Sequence, residues 1–284
     1  MNTTSIQLIS DRLLVTGDWH IGNDNVEDRG IRNFLKRAKK HAWVHLGDIL
    51  EAIMPADKRF SVAEHKTTMS ECIRDVKAYL GESAATCAGL VVGNHELAAT
   101  RLIGNFVEDL LCTCGGGAVR VPYLGQVCFA EVWTKKRMSS TALLTHGSCS
   151  IGGRSGEPER IKANRQVKLR DVFRAFDAEI CLMGHIHQFE VAPPAVEQKL
   201  TLQDGKVTLA QVRTRRGWYA SCPSMFKVYG PKSGLNYAEP MLVRPSEIGW
   251  VEVVYDGQAR VSQVELYSST GALVKTVEPD NTGR

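Results

Sequence analysis

Long apolar runs are missing from this chain. No stretch of its 284 residues approaches the ~18 consecutive apolar residues of a membrane helix. The opening MNTTSIQLISDR has no basic region followed by an apolar core, so a secretory signal is not expected and the cytoplasm is the expected location. A strong charge of either sign is missing too: 35 Lys and Arg against 31 Asp and Glu leave a formal net charge of +4, mildly favourable to anionic partners but far from a histone-like balance. The eight cysteines show no CxxC spacing, which excludes a zinc ribbon and argues against a disulfide framework; most fall in apolar segments, where reduced, packed thiols are expected. GGG at 115–117 lacks the lysine and hydroxyl residue of a phosphate-binding P-loop, and no recognition-helix or zinc-finger pattern occurs. Histidine is scarce, with eight residues in all, so its placement carries information.

The 43% of hydrophobic residues is enough for a sizeable core. Strand-like segments at 12–17, 42–47, 89–93, 141–146 and 178–184 alternate with helical patterns near 28–40, 60–80, 96–112 and 162–176, an α/β arrangement. Met69, Ile73, Val76 and Leu80 recur at helical spacing and are expected in the core. Lys36, Arg37, Lys39 and Lys40 read as the solvated face of the first helix, opposite Ile31, Phe34, Leu35 and Ala38. From about residue 189 the pattern turns to strands, with Asp-Gly turns inside KLTLQDGKVTL and VEVVYDGQARVSQVEL. One domain over 1–267, strand-rich from about 189, followed by a flexible tail over 268–284, is the expected organisation; a separate C-terminal module is the alternative.

The polar, metal-competent residues fall just after the strands. Asp18 and His20 follow the first, Asp48 the second, Asn94 and His95 the third, His146 the fourth, and His185 and His187 the fifth. Ligands collect at the carboxyl ends of strands in α/β sheets, so five such groups are expected to converge. In DWH and HIH a spacing of two in extended backbone would aim both polar residues one way and Trp19 or Ile186 the other. Singly, each piece has a plainer explanation: a turn, a helix cap at Asn94, a hydrogen-bonded structural histidine. Five of the eight histidines nevertheless lie in these segments, with His41, His45 and His65 outside them and assigned to structure or surface.

The ordered set GDWH, GDILE, GNHE, TH and GHIH, spanning roughly residues 14 to 188, resembles the motif set of the calcineurin-like metallophosphoesterases. The resemblance implies a four-layer sandwich, two mixed β-sheets flanked by helices, with two divalent metal ions over the strand ends. Manganese is the first expectation, with iron, zinc, nickel or magnesium as alternatives. Carried over, Asp18, His20, Asp48 and His187 match the ligands of one ion, and Asp48, Asn94, His146 and His185 those of the other, Asp48 bridging. His95 matches the family's non-ligand histidine, which contacts phosphate with Asn94 beside it and can protonate the leaving oxygen. Glu51 stands where the family often has an aspartate orienting that histidine, and Glu96 is a second candidate for the task. A water of lowered pKa shared between the ions would be the nucleophile.

Between the fourth and fifth motifs lies HGSCSIGGRSGEPERIKANRQVKLRDVF, glycine-rich and then basic. Arg154, Lys162 and Arg165 there could clamp a second phosphate or a nucleic-acid backbone; a plain connection followed by an exposed basic helix is the equal alternative. The GGR stretch, Asn164 and FDAEICLMGH also resemble metallophosphoesterases carried by bacteriophages, which would place the protein in a host cytoplasm. Trp218, Tyr219, Phe226, Tyr229 and Tyr237 are candidates for base stacking near Arg213, Arg215 and Arg216, with sandwich core expected for several of them and exposure for Tyr229 and Tyr237. The expected function is a metal-dependent phosphodiesterase or nuclease acting on DNA, RNA or nucleotides. A phosphomonoesterase, and a non-catalytic scaffold of the same fold, are the alternatives.

Overall fold

The computed structural model describes the chain apart from residues 54–67, 82, 109–111, 115–118, 149–156, 204, 216, 230–244 and 280–284. In chain order the first half contains β1 (Asn2–Gln7), β2 (Arg12–Thr16), α1 (Asp28–Ala38), β3 (Ala42–His45), α2 (Met69–Gly81), β4 (Cys87–Val91), α3 (Asn94–Ile103), β5 (Thr113–Cys114), β6 (Val119–Arg120), β7 (Tyr123–Gly125), β8 (Val127–Trp133) and β9 (Ser139–Thr145). The second half contains α4 (Pro158–Val172), β10 (Ile180–Met183), β11 (Glu190–Ala192), β12 (Ala195–Gln203), β13 (Lys206–Arg215), β14 (Trp218–Ser221), β15 (Gly249–Tyr255), β16 (Val261–Ser268) and β17 (Leu273–Val277).

Two mixed sheets face each other. One has the order β1-β8-β9-β10-β14-β11, the other β17-β16-β15-β2-β3-β4-β7. β2, β3 and β4 run parallel in the second, and β9 and β10 run parallel in the first, so each sheet presents its carboxyl strand ends as a row. Leu13, Val15, Val44 and Val253 of one sheet pack against Cys128, Ala130, Leu144 and Leu182 of the other in the central core. Outside the seven-stranded sheet, α1 lays Ile31, Phe34, Leu35 and Ala38 beside Val76 and Leu80 of α2 and Ala99 of α3. Outside the six-stranded sheet, Leu169 of α4 packs with Leu143, Cys181 and Tyr219. The layers therefore run helix, sheet, sheet, helix, because each sheet has two apolar faces to cover.

The helical spacing in α2 is met, with Val76 and Leu80 buried and Met69 and Ile73 packed against the same core. Cys72, Cys87, Cys112, Cys128, Cys181 and Cys222 are buried free thiols. Three expectations need correction. Residues 268–277 are no loose tail, since β17 pairs with β16, Leu266 opposite Lys275 and Val264 opposite Val277; residues 280–284 of the expected tail lie outside the described residues. Arg37 is not solvated with its lysine neighbours; it donates to the fully buried Glu252 and stacks over Tyr267, 4.7 Å from the ring centre. Asp256-Gly257 does not make a two-residue hairpin turn. A five-residue loop joins β15 to β16, and the Asp256 carboxylate accepts from Gln258 N and Arg260 N. In the other hairpin Gln203 pairs with Lys206, and Asp204 of its Asp-Gly lies outside the described residues.

Candidate metal centre

The carboxyl ends of β2, β3 and β4 meet those of β9 and β10 at one rim of the sandwich. The loops leaving β2 and β3 stay bonded beyond their strands: Asp18 N donates to Gly47 O at 2.9 Å, His20 N to Asp48 O at 3.0 Å and Ile21 N to Ile49 O at 2.9 Å. Gly93 lets the β4 loop approach this pair, since a Cβ there would fall 2.1 Å from Asp48 Oδ1. Glu96, in the first turn of α3, closes the arrangement. Its carboxylate accepts from Asp48 N at 2.9 Å, Leu50 N at 2.9 Å and Gly93 N at 2.8 Å. Burial and the Asp48 charge push the Glu96 carboxyl up to about 7, against three donors that favour its ionised form.

The DWH and HIH pairs do not use strand alternation. Asp18, His20, Asp48, His185 and His187 all have positive φ, between 51° and 71°, so the chain turns at each one. Such values are uncommon outside glycine and cluster where side chains are aimed for function. The intervening residues do pack away as expected: Trp19 is fully buried against Phe34 and Trp43, and Ile186 lies against the α4-side core.

Donor atoms gather in groups. Asp18, His20 and His187 converge on one side and Asp48, His146 and His185 on the other; His20, Glu51 and His95 form a third group that shares His20. In the first, His187 Nε2 lies 3.2 Å from Asp18 Oδ1, and His185 N donates to Asp18 Oδ2 at 3.0 Å. In the second, His146 Nε2 lies 3.2 Å from Asp48 Oδ2, 2.9 Å from Asn94 Oδ1 and 3.3 Å from His185 Nδ1. The Asn94 oxygen there faces other acceptors; a half-turn of the amide would let its NH2 donate to His146 Nε2 and His185 Nδ1 instead. Asp48 Oδ2 stands between the groups, 3.9 Å from His20 Nε2. Asp48 Oδ1 meanwhile accepts from His95 N at 2.9 Å, at the start of α3, where the helix dipole favours an anion.

Tautomers are fixed from behind. His146 Nδ1–H donates to Leu46 O at 2.8 Å and His20 Nδ1–H to Glu51 Oε2 at 2.8 Å, which turns both Nε2 atoms into the site. His20 Nε2 is buried with no hydrogen-bond partner. Burial would raise the Asp48 carboxyl, but the charge and hydrogen bond of His146, with His95 and His20 nearby, hold it well below the usual carboxylate value. Burial lowers His146, yet Asp48 and Asp18 bring it up to about 10. Among the described residues no Lys or Arg pairs with the buried Asp18, Asp48 or Glu96. Buried anions and facing lone pairs are costly without a cation between them, and this mixed imidazole, carboxylate and amide set suits divalent ions of borderline softness. The residues fit such ions.

His95 lies in the same cavity, 3% exposed, with Nε2 4.0 Å from Asp48 Oδ2. Its Nδ1–H donates to the backbone carbonyl of Glu51, while the Glu51 carboxylate accepts from His20 and that of Glu96 closes the backbone clasp. Of the residues expected to bind substrate, Asn94 and His95 are in the site, Lys162 is exposed on α4, Arg154 lies outside the described residues, and Arg165 is committed to Glu190 at 2.6 Å. His41 bonds Ser10 Oγ at 2.7 Å, and burial drives the fully enclosed His45 down to about 3; His65 and Tyr237 lie outside the described residues.

One contributor was not foreseen. The segment after β14 closes the site's far wall: Ser224 Oγ donates to Asp18 O at 2.8 Å, Met225 N donates to the same oxygen, and Phe226 lies 4.9 Å from the His20 ring and 6.0 Å from that of His187. Of its residues the sequence singled out only Phe226, as a base-stacking candidate, and Phe226 is buried; Cys222 Sγ donates to Val15 O. Trp218 and Tyr219 are core, and Tyr229 is 45% exposed.

No family model and no curated protein sequence matches the chain. Among solved structures it is similar to the YfcE phosphoesterase of E. coli, at 13% identity over 95% of this chain and 100% of that one, TM-score 0.44. Zinc-complexed Vps29 of Entamoeba histolytica matches at 14% identity over 94% and 98%, TM-score 0.42. A predicted phosphoesterase of Streptococcus pneumoniae matches at 16% identity over 94% and 97%, TM-score 0.37.

Proposed function

We propose that the chain is a calcineurin-like metallophosphoesterase that holds two divalent ions, one with Asp18, His20 and His187, the other with Asn94, His146 and His185, and both with Asp48. The observation carrying this reading is the position of Asp48 Oδ2 between two groups of inward-facing donor atoms delivered by five strand ends. Divalent ions bound there supply Lewis acidity toward a phosphoryl oxygen and bring the pKa of a water toward neutrality. The protein's own residues do the rest. Asp18 and Asp48 are kept ionised, His20 and His146 are anchored at Nδ1 so that Nε2 faces the ions, and His95 would carry a proton on Nε2 for the departing ester oxygen while its Nδ1–H stays anchored to Glu51 O. Entry is from the side of Asn94, His185 and His187, which are partly exposed where Asp18, His20, Asp48 and His146 are buried.

The proposed substrates are phosphodiesters of nucleic acids or nucleotides. Supporting this are Arg160, Lys162 and Lys168 on the exposed face of α4, in the segment joining His146 to His185. The test uses chelator-stripped protein reloaded with manganese, nickel, zinc or magnesium. It is assayed on an aryl phosphodiester, the matching monoester, single- and double-stranded DNA, RNA, a cyclic nucleotide and a phosphopeptide. Metal-dependent hydrolysis favouring diesters is expected. Faster monoester turnover would move the substrate to phosphomonoesters, and no hydrolysis with any metal would leave a binding scaffold.

A further inference from the structure

The side chain and the main chain of Glu51 face two different histidines. Its carboxylate accepts from His20 Nδ1–H at 2.8 Å, both side chains being nearly sealed from solvent at 3% and 2% exposure. Its carbonyl oxygen accepts from His95 Nδ1–H. The two rings meet edge to face, centroids 4.8 Å apart, and their Nε2 atoms lie 3.9 and 4.0 Å from the same oxygen, Asp48 Oδ2. The backbone that holds Glu51 is itself tied to the β2 loop, since Glu51 N donates to Ile21 O at 3.0 Å.

The two partners differ in what they do to an imidazole. An anionic carboxylate on Nδ1–H raises the electron-donating power of Nε2, as suits a metal ligand. A neutral carbonyl on Nδ1–H fixes the tautomer and orientation of a ring without bringing a charge to it. We propose that Glu51 is a positioning residue that divides these tasks: its side chain tunes His20 for binding one of the two metal ions, and its main chain orients His95 for proton delivery. The inference rests on the two-metal reading, and it makes the tasks separable, because a side-chain substitution removes the first partner and leaves the second.

The experiment compares wild type, Glu51→Leu and Glu51→Gln by calorimetric titration of the stripped proteins with manganese, and by a leaving-group series at saturating manganese. Wild type is expected to bind two equivalents. Glu51→Leu should weaken one of them by about 10–100-fold and leave the other unchanged. Glu51→Gln, whose amide oxygen can still accept from Nδ1–H, should recover part of that loss and also shows that the loss is not one of folding. The ratio of rates for good and poor leaving groups should stay at the wild-type value in both variants. Wild-type affinity for both equivalents, equal weakening of both, no recovery in Glu51→Gln, or a steepened leaving-group dependence like that of His95→Ala would each overturn the division of tasks. Failure of the wild-type protein to bind two equivalents would instead overturn the two-metal reading.

Discussion

Asp48 is the residue on which the site turns, because one oxygen caps the start of α3 through His95 N and the other faces both donor groups. Asp48→Asn keeps an oxygen for the cap but removes the bridging charge. Manganese binding and turnover should each fall by more than about 100-fold, beyond the loss typical of an outer partner, with the circular dichroism spectrum unchanged. His95→Ala should bind two equivalents of metal normally and lose about 10²- to 10⁴-fold in turnover, most for poor leaving groups; an equal loss across leaving groups would argue against proton donation. The proposed ligand residues stood out in the sequence because the chemistry needs scarce residue types at strand ends. How they are aimed was not: DWH and HIH suggest alternation, whereas positive φ at Asp18, His20, His185 and His187 turns each residue individually. Nor does residue type tell which acid serves which histidine, since the partner of His95 is a main-chain oxygen.

At the scale of elements, two buried acids tie segments together. Glu96 joins the ends of β3 and β4 through three backbone donors. Glu96→Gln retains a single acceptor oxygen and should cost about 1–3 kcal/mol for the donor left unmet, read as a lower melting temperature. Glu252 on β15 accepts from Arg12, Arg37 and Trp250 Nε1, and Glu265 on β16 accepts from Arg12 and Tyr267, fastening α1 and β2 to the C-terminal hairpin. Burial would raise the Glu265 carboxyl, but Arg12 and Tyr267 hold it below its ordinary value. A depressed folded value stabilises the protein above the unfolded pKa, about 4.3 for glutamate, and the gain is lost as pH falls through the folded value. Glu265→Gln should therefore lower the melting temperature at pH 7 and converge on wild type as the pH falls below the folded value. Strands and helices with one buried face were readable from periodicity, as α2 shows. β1 was not, because NTTSIQ is a polar segment with Ile6 buried, and it is held by pairing with β8.

For the whole molecule, the site exists because two sheets bring their strand ends to one rim, β2, β3 and β4 from one and β9 and β10 from the other. The α/β pattern and the strand-rich C-terminal part were visible in the sequence; that β15 would pair with β2, more than 230 residues away, was carried by no local signal. β12 and β13 pair with each other, with Leu200, Leu202 and Val207 exposed, and form no part of either large sheet. Replacing residues 197–212 by a short Gly-Ser turn should thus leave the melting temperature and aryl-diester turnover close to wild type. The central claim is that a pair of cations sits at the rim. Anomalous diffraction from crystals soaked in manganese tests it most directly: two peaks are expected, one among Asp18, His20 and His187, the other among Asn94, His146 and His185, with Asp48 touching both. The absence of both peaks, with those side chains ordered, would contradict it.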